Sequence, residues 1–333
     1  MPSVFEIVTE RIIARLEQGV VPWRRPWHAE SGLPRNLVTG NEYRGINVFL
    51  LGCQGYESPY WMTFKQAKEL GGSVRKGEKA TPVVFWNWLE AQEVDPETGL
   101  PTTRRVPLLR YFSTFNVEQC ERVRHRRLLE PIEDAPKPFT PIARAAAIVE
   151  AYPSPPSIGH RGTEAFYRPA DDAVTMPPCE AFGTAESYYS TLFHELAHST
   201  GHSSRLARPG VTQPIRFASH EYSQEELLAE MAASFLRAIA RIDSEDLVTN
   251  SAAYIQGWLR ALRKDARLLV IAGAQAQKAA DWMLGKKPAE EANTALELLL
   301  AAWLPEHGQG ATPQAHMKGA ADAPSFALCT GQH

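Results

Sequence analysis

ESYYSTLFHELAHS (186–199), with SQEELLAEMAASFLRAIA (223–240) after it, decides how this chain is read. Within the first stretch, His194-Glu195-Leu196-Ala197-His198 is an HExxH. On a helix, positions i and i+4 share a face, so both imidazoles can reach one cation. Glu195 sits one step round from His194, where its carboxylate can take a proton from a metal-activated water. Aromatic and apolar residues bound the segment, so the histidines are expected to be partly buried, where an unpartnered imidazole is costly. Thr184 or Ser187 is available as the helix cap.

A third protein ligand is needed if one position is to stay open for water. The extended pattern HExxHxxGxxH requires histidine at 204, where the chain has Ser204. His202 reaches the cation only if the helix breaks at Gly201. A carboxylate from the second helix is the other solution. Ser223 reads as its N-cap, with Glu226 as the capping-box acid. Glu226 and Glu230 share a face at i,i+4 beside the small Ala229 and Ala233, while Glu225 is expected to point elsewhere. On spacing alone the two acids can exchange roles, one binding the cation and the other orienting an imidazole. A His₂Glu set suits Zn2+ and accepts other divalent ions such as Mn2+.

The E-x-x-A-E order of Glu226, Ala229 and Glu230 resembles the second helix of gluzincin-type metallopeptidases. That resemblance implies that Glu226 is the ligand and that Glu230 fixes an imidazole tautomer. A substrate strand would then lie along EAFYRPADDAVTMP (164–177) as an edge strand. Tyr188, Tyr189, His220, Tyr222 and Tyr254 are the candidate oxyanion stabilisers.

Outward from this site the chain reads as α+β. It has 333 residues, 44% hydrophobic and 22% charged, which is globular composition and fits two domains. The first half is expected to be an α+β domain over 1–130. An amphipathic helix at 3–18 puts Val4, Ile7, Val8, Ile12 and Leu16 on one face and stops at Gly19. Thr63 caps a short helix, FKQAKEL, closed by Gly71 and Gly72. PVVFWNW (82–88) and VPLLRYFSTF (106–115) read as strands around a turn-rich DPETGLP. A proline-rich linker is expected over 131–141. A mostly helical domain follows over 142–287: a helix at 143–152, strands near Ile158 and over 164–175, and helices near 185–200, 223–240 and 250–283. Residues 288–333 read as one further helix and a tail too poor in apolar residues to order itself. No stretch approaches the ~18 uncharged apolar residues of a membrane span, and the N-terminus lacks the apolar core of a signal peptide, so a cytoplasmic location is expected.

Net charge is −3, yet the first 130 residues carry 18 Lys and Arg against 15 Asp and Glu. Five of the eight tryptophans (Trp23, Trp27, Trp61, Trp86, Trp88) lie in this part, interleaved with arginines and lysines. Single-stranded nucleic acid is held in this way, with bases on aromatic faces and cations along phosphates. In PWRRPW (22–27) the prolines are expected to keep Trp23 and Trp27 out of regular elements and in solvent.

The runs PWRRPW, LPRNLVTGNEYRGINVFLL, YWMTFKQAKELGGSVRKGEKATPVVFW and FSTFNVEQC resemble the ArdC-type single-stranded-DNA-binding domain, which also occurs in plasmid-transfer primases. The second half, from DDAVTMPP through YSQEELLAEMAASFL, resembles the zincin-like metallopeptidase domain paired with it. The resemblance spans residues 3–285 and implies an antirestriction protein of conjugative plasmids or other mobile DNA. It implies DNA contacts at Trp23, Arg24, Trp27, Arg35, Asn36, Tyr43, Arg44, Asn47, Lys65, Arg75 and Lys79. Asn36 and Asn47 have a competing use as turn framework. Three functions are then open: a zinc peptidase brought to DNA and cutting an unknown protein substrate, a DNA-coating protein with a structural metal, and a first half that recognises a protein.

Overall fold

The structure is a computed structural model, and it describes residues 3–23, 32–94, 101–129, 141–213, 220–242 and 252–286. The expected linker, the C-terminal helix and tail, Arg24 and Trp27 lie outside those residues. The first part comprises α1 (Val4–Glu17), β1 (Arg35–Asn36), α2 (Ile46–Gly52), β2 (Tyr60–Thr63), α3 (Phe64–Glu69), β3 (Ser73–Val74), β4 (Thr81–Val94), β5 (Pro101–Asn116) and β6 (Cys120–Glu121). The second comprises α4 (Pro141–Ala151), β7 (Ser157–His160), β8 (Phe166–Arg168), β9 (Ala173–Met176), α5 (Ala185–Ser199), α6 (Pro209–Thr212), α7 (His220–Ala240), α8 (Ala252–Lys264) and α9 (Leu268–Met283). Among the described residues no helix is long and apolar enough to cross a membrane.

Local chemistry sets the boundaries. Ser3 and Glu6 form a capping box at the start of α1, and Thr63 and Gln66 form one at α3. Thr184 rather than Ser187 caps α5, accepting from the Ser187 amide. Ser223 is not a cap, because α7 already runs from His220 and carries Ser223 inside it. The helix expected over 250–283 is two. It breaks between Lys264 and Leu268, where Asp265 accepts from the Arg267 amide and so offers the backbone a turn. The strand expected over 164–175 is also two, separated by a turn at Pro169–Asp171 and a left-handed Asp172. In the order β7-β9-β8, β9 is central and only β8 forms an edge from that stretch.

β1, β2, β5 and β4 form one sheet in that order, and α2 packs against β4. Asn47 makes this joint specific. Its amide donates to the Val84 carbonyl (2.8 Å) and accepts from the Val84 amide (2.7 Å), as a neighbouring strand would. In the second part α5 packs across β8 and β9, and α7 lies between α5 and α9.

The interior does not stop at residue 130. One hydrophobic cluster joins Val8, Ile12, Leu16, Trp23 and Phe49 to Phe235, Trp258, Leu269 and Ala276. Phe49 of α2 stacks on Phe235 of α7 with centroids 5.0 Å apart, and Trp23 meets Trp258 edge-on at 5.7 Å. Gly273 of α9 allows this closeness, since a Cβ there would lie 3.0 Å from the Ile46 nitrogen. Polar contacts follow the same seam. Thr9 donates to the Ala266 carbonyl (2.7 Å), the Gly45 amide to Gln277 (3.0 Å), and Arg44 pairs with the buried Asp281. Arg237 of α7 donates both to the Trp23 carbonyl (3.2 Å) and to Ser190 of α5 (3.2 Å). The helix that carries the acids therefore rests directly on the N-terminal part, and Arg237 ties the histidine helix to the same seam.

Candidate metal centre

α5 presents His194 and His198 one turn apart, and α7 crosses it with Glu226 facing them. His194 Nε2 and His198 Nε2 are 3.1 Å apart, and Glu226 lies 3.6 Å from the first and 3.7 Å from the second. All three donors fall within 4.8 Å of one another. Four ligands placed tetrahedrally at zinc bond lengths stand about 3.3 Å apart, so these donors suit one divalent cation. The apposed nitrogens point the same way, because two bare imidazole lone pairs repel unless a proton or a cation lies between them.

His198 is held from its other side. Its Nδ1 lies 3.3 Å from Glu225 Oε1. A carboxylate only accepts, so Nδ1 carries the proton and Nε2 is left as a lone pair for a metal. Contrary to the expectation that Glu225 points elsewhere, it is the acid on His198. Adjacent helix positions differ by only about 100°, and α7 crosses α5 so that both Glu225 and Glu226 fall on the near side. Glu230 lies close enough to His194 for its charge to favour imidazolium.

Arg208 anchors Glu225. It donates from Nε to Oε2 (3.0 Å) and from Nη2 to Oε1 (2.6 Å), a bidentate pair with both side chains buried. The same guanidinium donates to the Ala197 carbonyl (2.9 Å) and the Thr200 hydroxyl (2.6 Å), which satisfies the last turn of α5. The loop 201–208 makes this possible. Gly201 sits against Arg208 and Val211, and a Cβ there would come within 2.9 Å of the guanidinium. Burial works to raise the Glu225 pKa, but the Arg208 charge and the hydrogen bonds from His198 and Arg208 outweigh it and lower the pKa to about 2. For His194, burial works against the charged form. The hydrogen bond to Glu226 and the charges of Glu195, Glu226 and Glu230 prevail and raise its pKa to about 9.

Glu195 is buried beside His194. His202 does not join the cluster: its Nδ1 lies 2.8 Å from Ser204 Oγ. Arg205 fixes the same loop by donating to the Ser199 carbonyl (2.7 Å) and pairing with Asp172. Of the oxyanion candidates, Tyr188 lies against His160 with its hydroxyl 3.0 Å from Nε2. The side chains of His220, Tyr222 and Tyr254 lie outside the described residues.

The expected DNA contacts divide sharply. Trp23, with 0% of its surface exposed, is core, as Tyr43 and Asn47 are. Trp23 is a correction: proline excludes it from a regular element but not from a tertiary socket, which Trp258 and Arg237 supply. Tyr43 packs with Leu51, Trp61 and Val83, and Asn47 spends its amide on Val84. Asn36 holds a turn, accepting from the Val38 and Thr39 amides (3.1 and 3.0 Å). Arg35 pairs with Glu42 at 3.5 Å and Arg44 with Asp281. Lys65, Arg75 and Lys79 are exposed, the first two beside Glu69 and Glu78.

Comparison with known proteins supplies the context. Residues 2–115 match the family model of the N-terminal domain of anti-restriction factor ArdC, and residues 143–275 that of a zincin-like metallopeptidase. The chain is 36% identical over 326 residues to a DNA primase TraC of Escherichia coli, covering 92% of this chain and 29% of that protein. It thus spans under a third of that primase, and 20% of a second TraC at 37% identity. Protein y4eC of Sinorhizobium fredii is 33% identical over 291 residues, covering 84% of this chain and 91% of y4eC. The crystal structure of antirestriction ArdC from plasmid R388 superposes with a TM-score of 0.64 at 37% identity, covering 87% of this chain and 98% of that one. Its Mn(II)-bound form gives 0.62 at 36% identity, covering 85% and 98%.

Proposed function

This chain belongs to the ArdC antirestriction family, and on that premise we propose that it binds single-stranded DNA and carries a zinc-dependent peptidase site. His194, His198 and Glu226 hold the cation, Glu195 is the general base, and Glu225 together with Glu230 positions the imidazoles. The observation that carries the reading is the convergence of those three donors beside an intact Glu195, which a purely structural zinc site would not need. The Mn(II)-bound relative supports a divalent ion, and the donor set suits zinc.

A divalent cation at such a site supplies Lewis acidity, polarising a carbonyl and lowering the pKa of a water to about 7. Glu195, next to His194 on α5, is the side chain that would accept a proton during hydrolysis and return it to the leaving amine. Arg208 keeps Glu225 ionised, and Glu225 keeps the His198 lone pair turned inward. Coating of the entering strand and cutting of a protein bound to it would together help foreign DNA escape host restriction. The cytoplasm, where that DNA arrives, is the proposed location.

Metal analysis and a gel shift test both halves. Purified protein is expected to hold about one zinc per chain, and His194→Ala and Glu226→Ala to hold none. Wild type is expected to shift single-stranded oligonucleotides, more weakly as salt rises. Equal zinc in all three proteins would remove the ligand assignment, and no shift at low salt would remove the DNA reading.

A pH dependence follows from His194. Its raised pKa stabilises the metal-free fold fully below about 6.5, and that stabilisation is lost as pH rises through about 9. Metal binding carries the opposite sign, since Nε2 must shed its proton to donate. Apparent zinc affinity is expected to rise about tenfold per pH unit from pH 7 and to level off near 9. Calorimetric titration across that range checks it, and a flat profile would contradict the ligand role of His194.

A further inference from the structure

We propose that the ribbon formed by β4 and β5 carries a base-stacking platform for single-stranded DNA, built from Phe85 and Phe112 with Arg110 as its phosphate partner. The proposal rests on the single-stranded DNA reading above and places it on residues outside those the family resemblance implies.

Register defines the face. Val83 pairs with Phe112 and Phe85 with Arg110, and cross-strand partners point to the same side of a sheet. Burial falls away along that side. Val83 is in the core with Trp61 and Tyr43, while Phe85 is 44% exposed and Phe112 50% exposed. The two rings meet edge to face at 5.7 Å, and Tyr43 braces Phe85 from the core at 6.5 Å. An edge-to-face pair leaves one ring face free for a planar ligand. The rings are thus fixed from below and open above.

The ribbon itself extends beyond the sheet. β2 pairs with β5 only over Thr114–Asn116, while β4 and β5 stay paired from Thr81 and Thr114 out to Val94 and Pro101. Among the described residues no third strand borders that outer part. A bare two-stranded ribbon is only marginally stable alone, and half-exposed phenyl rings on it forgo much of their burial energy. Both features suit an element that completes itself on a partner.

Charge chooses the partner. KATPVVFWNWL (79–89) and VPLLRYFSTFNV (106–117) contain no Asp or Glu, and Arg110, across from Phe85, is exposed. Lys79, also exposed, precedes the first strand. A flexible polyanion with accessible flat rings matches this surface, whereas a duplex keeps its base faces stacked inside. Single-stranded DNA stacks bases on aromatic side chains with little sequence preference, which suits a ribbon that offers no base-edge readers.

The test compares full-length proteins by fluorescence anisotropy on a labelled oligo-dT and on an abasic oligonucleotide of equal length. The Phe85→Ala/Phe112→Ala double variant is expected to lose roughly 10- to 100-fold on oligo-dT and to bind the abasic strand as wild type does. Phe112→Tyr keeps an aromatic face and is expected to stay within about twofold of wild type. Arg110→Ala is expected to lower the salt slope on both strands by about one charge contact. If the double variant binds oligo-dT as tightly as a wild type that itself binds with the expected salt dependence, the platform is refuted and the DNA reading stands. Equal losses on both strands refute stacking as well. If wild type binds neither strand at low salt, both readings fall together.

Discussion

Arg208→Met is expected to destabilise the protein by about 3–5 kcal/mol, because it leaves the Glu225 carboxylate buried without its cation. Methionine preserves much of the side-chain volume, so the loss reports charge and hydrogen bonding rather than a cavity. The carbonyl of Ala197 and the hydroxyl of Thr200 lose the same donor, which frays the end of α5 close to His198. Glu225 then loses the charge and hydrogen bonds of Arg208 that lower its pKa, and it accepts less firmly from His198. Zinc affinity is expected to fall about 10- to 100-fold, the usual consequence of losing a partner that orients a ligand. Urea unfolding of the metal-free protein and zinc competition with a chelator measure the two effects separately. Arg208→Lys restores the charge without the fork and should recover stability only in part. Unchanged unfolding and unchanged affinity would show that the Arg208–Glu225 pair does not hold the site.

The second large effect concerns chemistry rather than stability. Glu195→Gln is nearly isosteric and leaves His194, His198 and Glu226 in place, so zinc content should match wild type. Glutamine cannot accept the proton, and hydrolysis is expected to fall by about 10²- to 10⁴-fold, the usual contribution of a general base. Digestion of a diverse peptide library, followed by mass spectrometry, measures the loss whichever sequence the site prefers. Protection of incoming plasmid DNA against a restriction enzyme in recipient cells is the companion measurement. Lost cleavage together with lost protection assigns the antirestriction effect to proteolysis. Lost cleavage with intact protection would leave strand coating as the protective act and give the peptidase another purpose.

The centre was legible in the sequence to the extent that its geometry is local. HExxH fixes two donors because four residues make nearly one helical turn, and a carboxylate oxygen of Glu226 lies within 4.8 Å of both. Glu225 was not legible. Which of two neighbouring acids faces a partner helix depends on the crossing of α7 over α5, a tertiary quantity no spacing encodes. Arg208 was hidden for the same reason, although the run GHSSRLARPG holds a signal. A glycine just beyond the helix end, followed by an arginine with no acid nearby in sequence, marks a loop that folds back to cap it.

In the N-terminal part, composition misled where burial decided. Trp23, Tyr43 and Trp61 are core, and among the described residues the half-exposed rings are those of Phe64, Phe85, Tyr111 and Phe112, which composition had no reason to separate from core. The α+β character, the capped short helix at Thr63 and the paired strands around residues 95–100 were all readable, because each rests on neighbours in sequence. The break at Asp265 was not. Its surroundings, ALRKDARLLV, are mostly good helix formers, and the bend takes both the Asp265 side chain on the Arg267 amide and the packing of α8 and α9 against α1.

The shared interior also constrains how such a gene can be cut and recombined. Phe49 stacks on Phe235, and Trp23 fills a socket made by residues more than two hundred positions away. A fragment ending at the proline-rich stretch would bare α1 and α2 to water, and its complement would expose the matching side of α7 and α9. Crossovers that swap one half for a distant homologue's must therefore carry compensating changes on both sides of this seam. Exchange of such modules among replicons is accordingly favoured when the pair moves as a unit, as a single cassette rather than as two interchangeable parts.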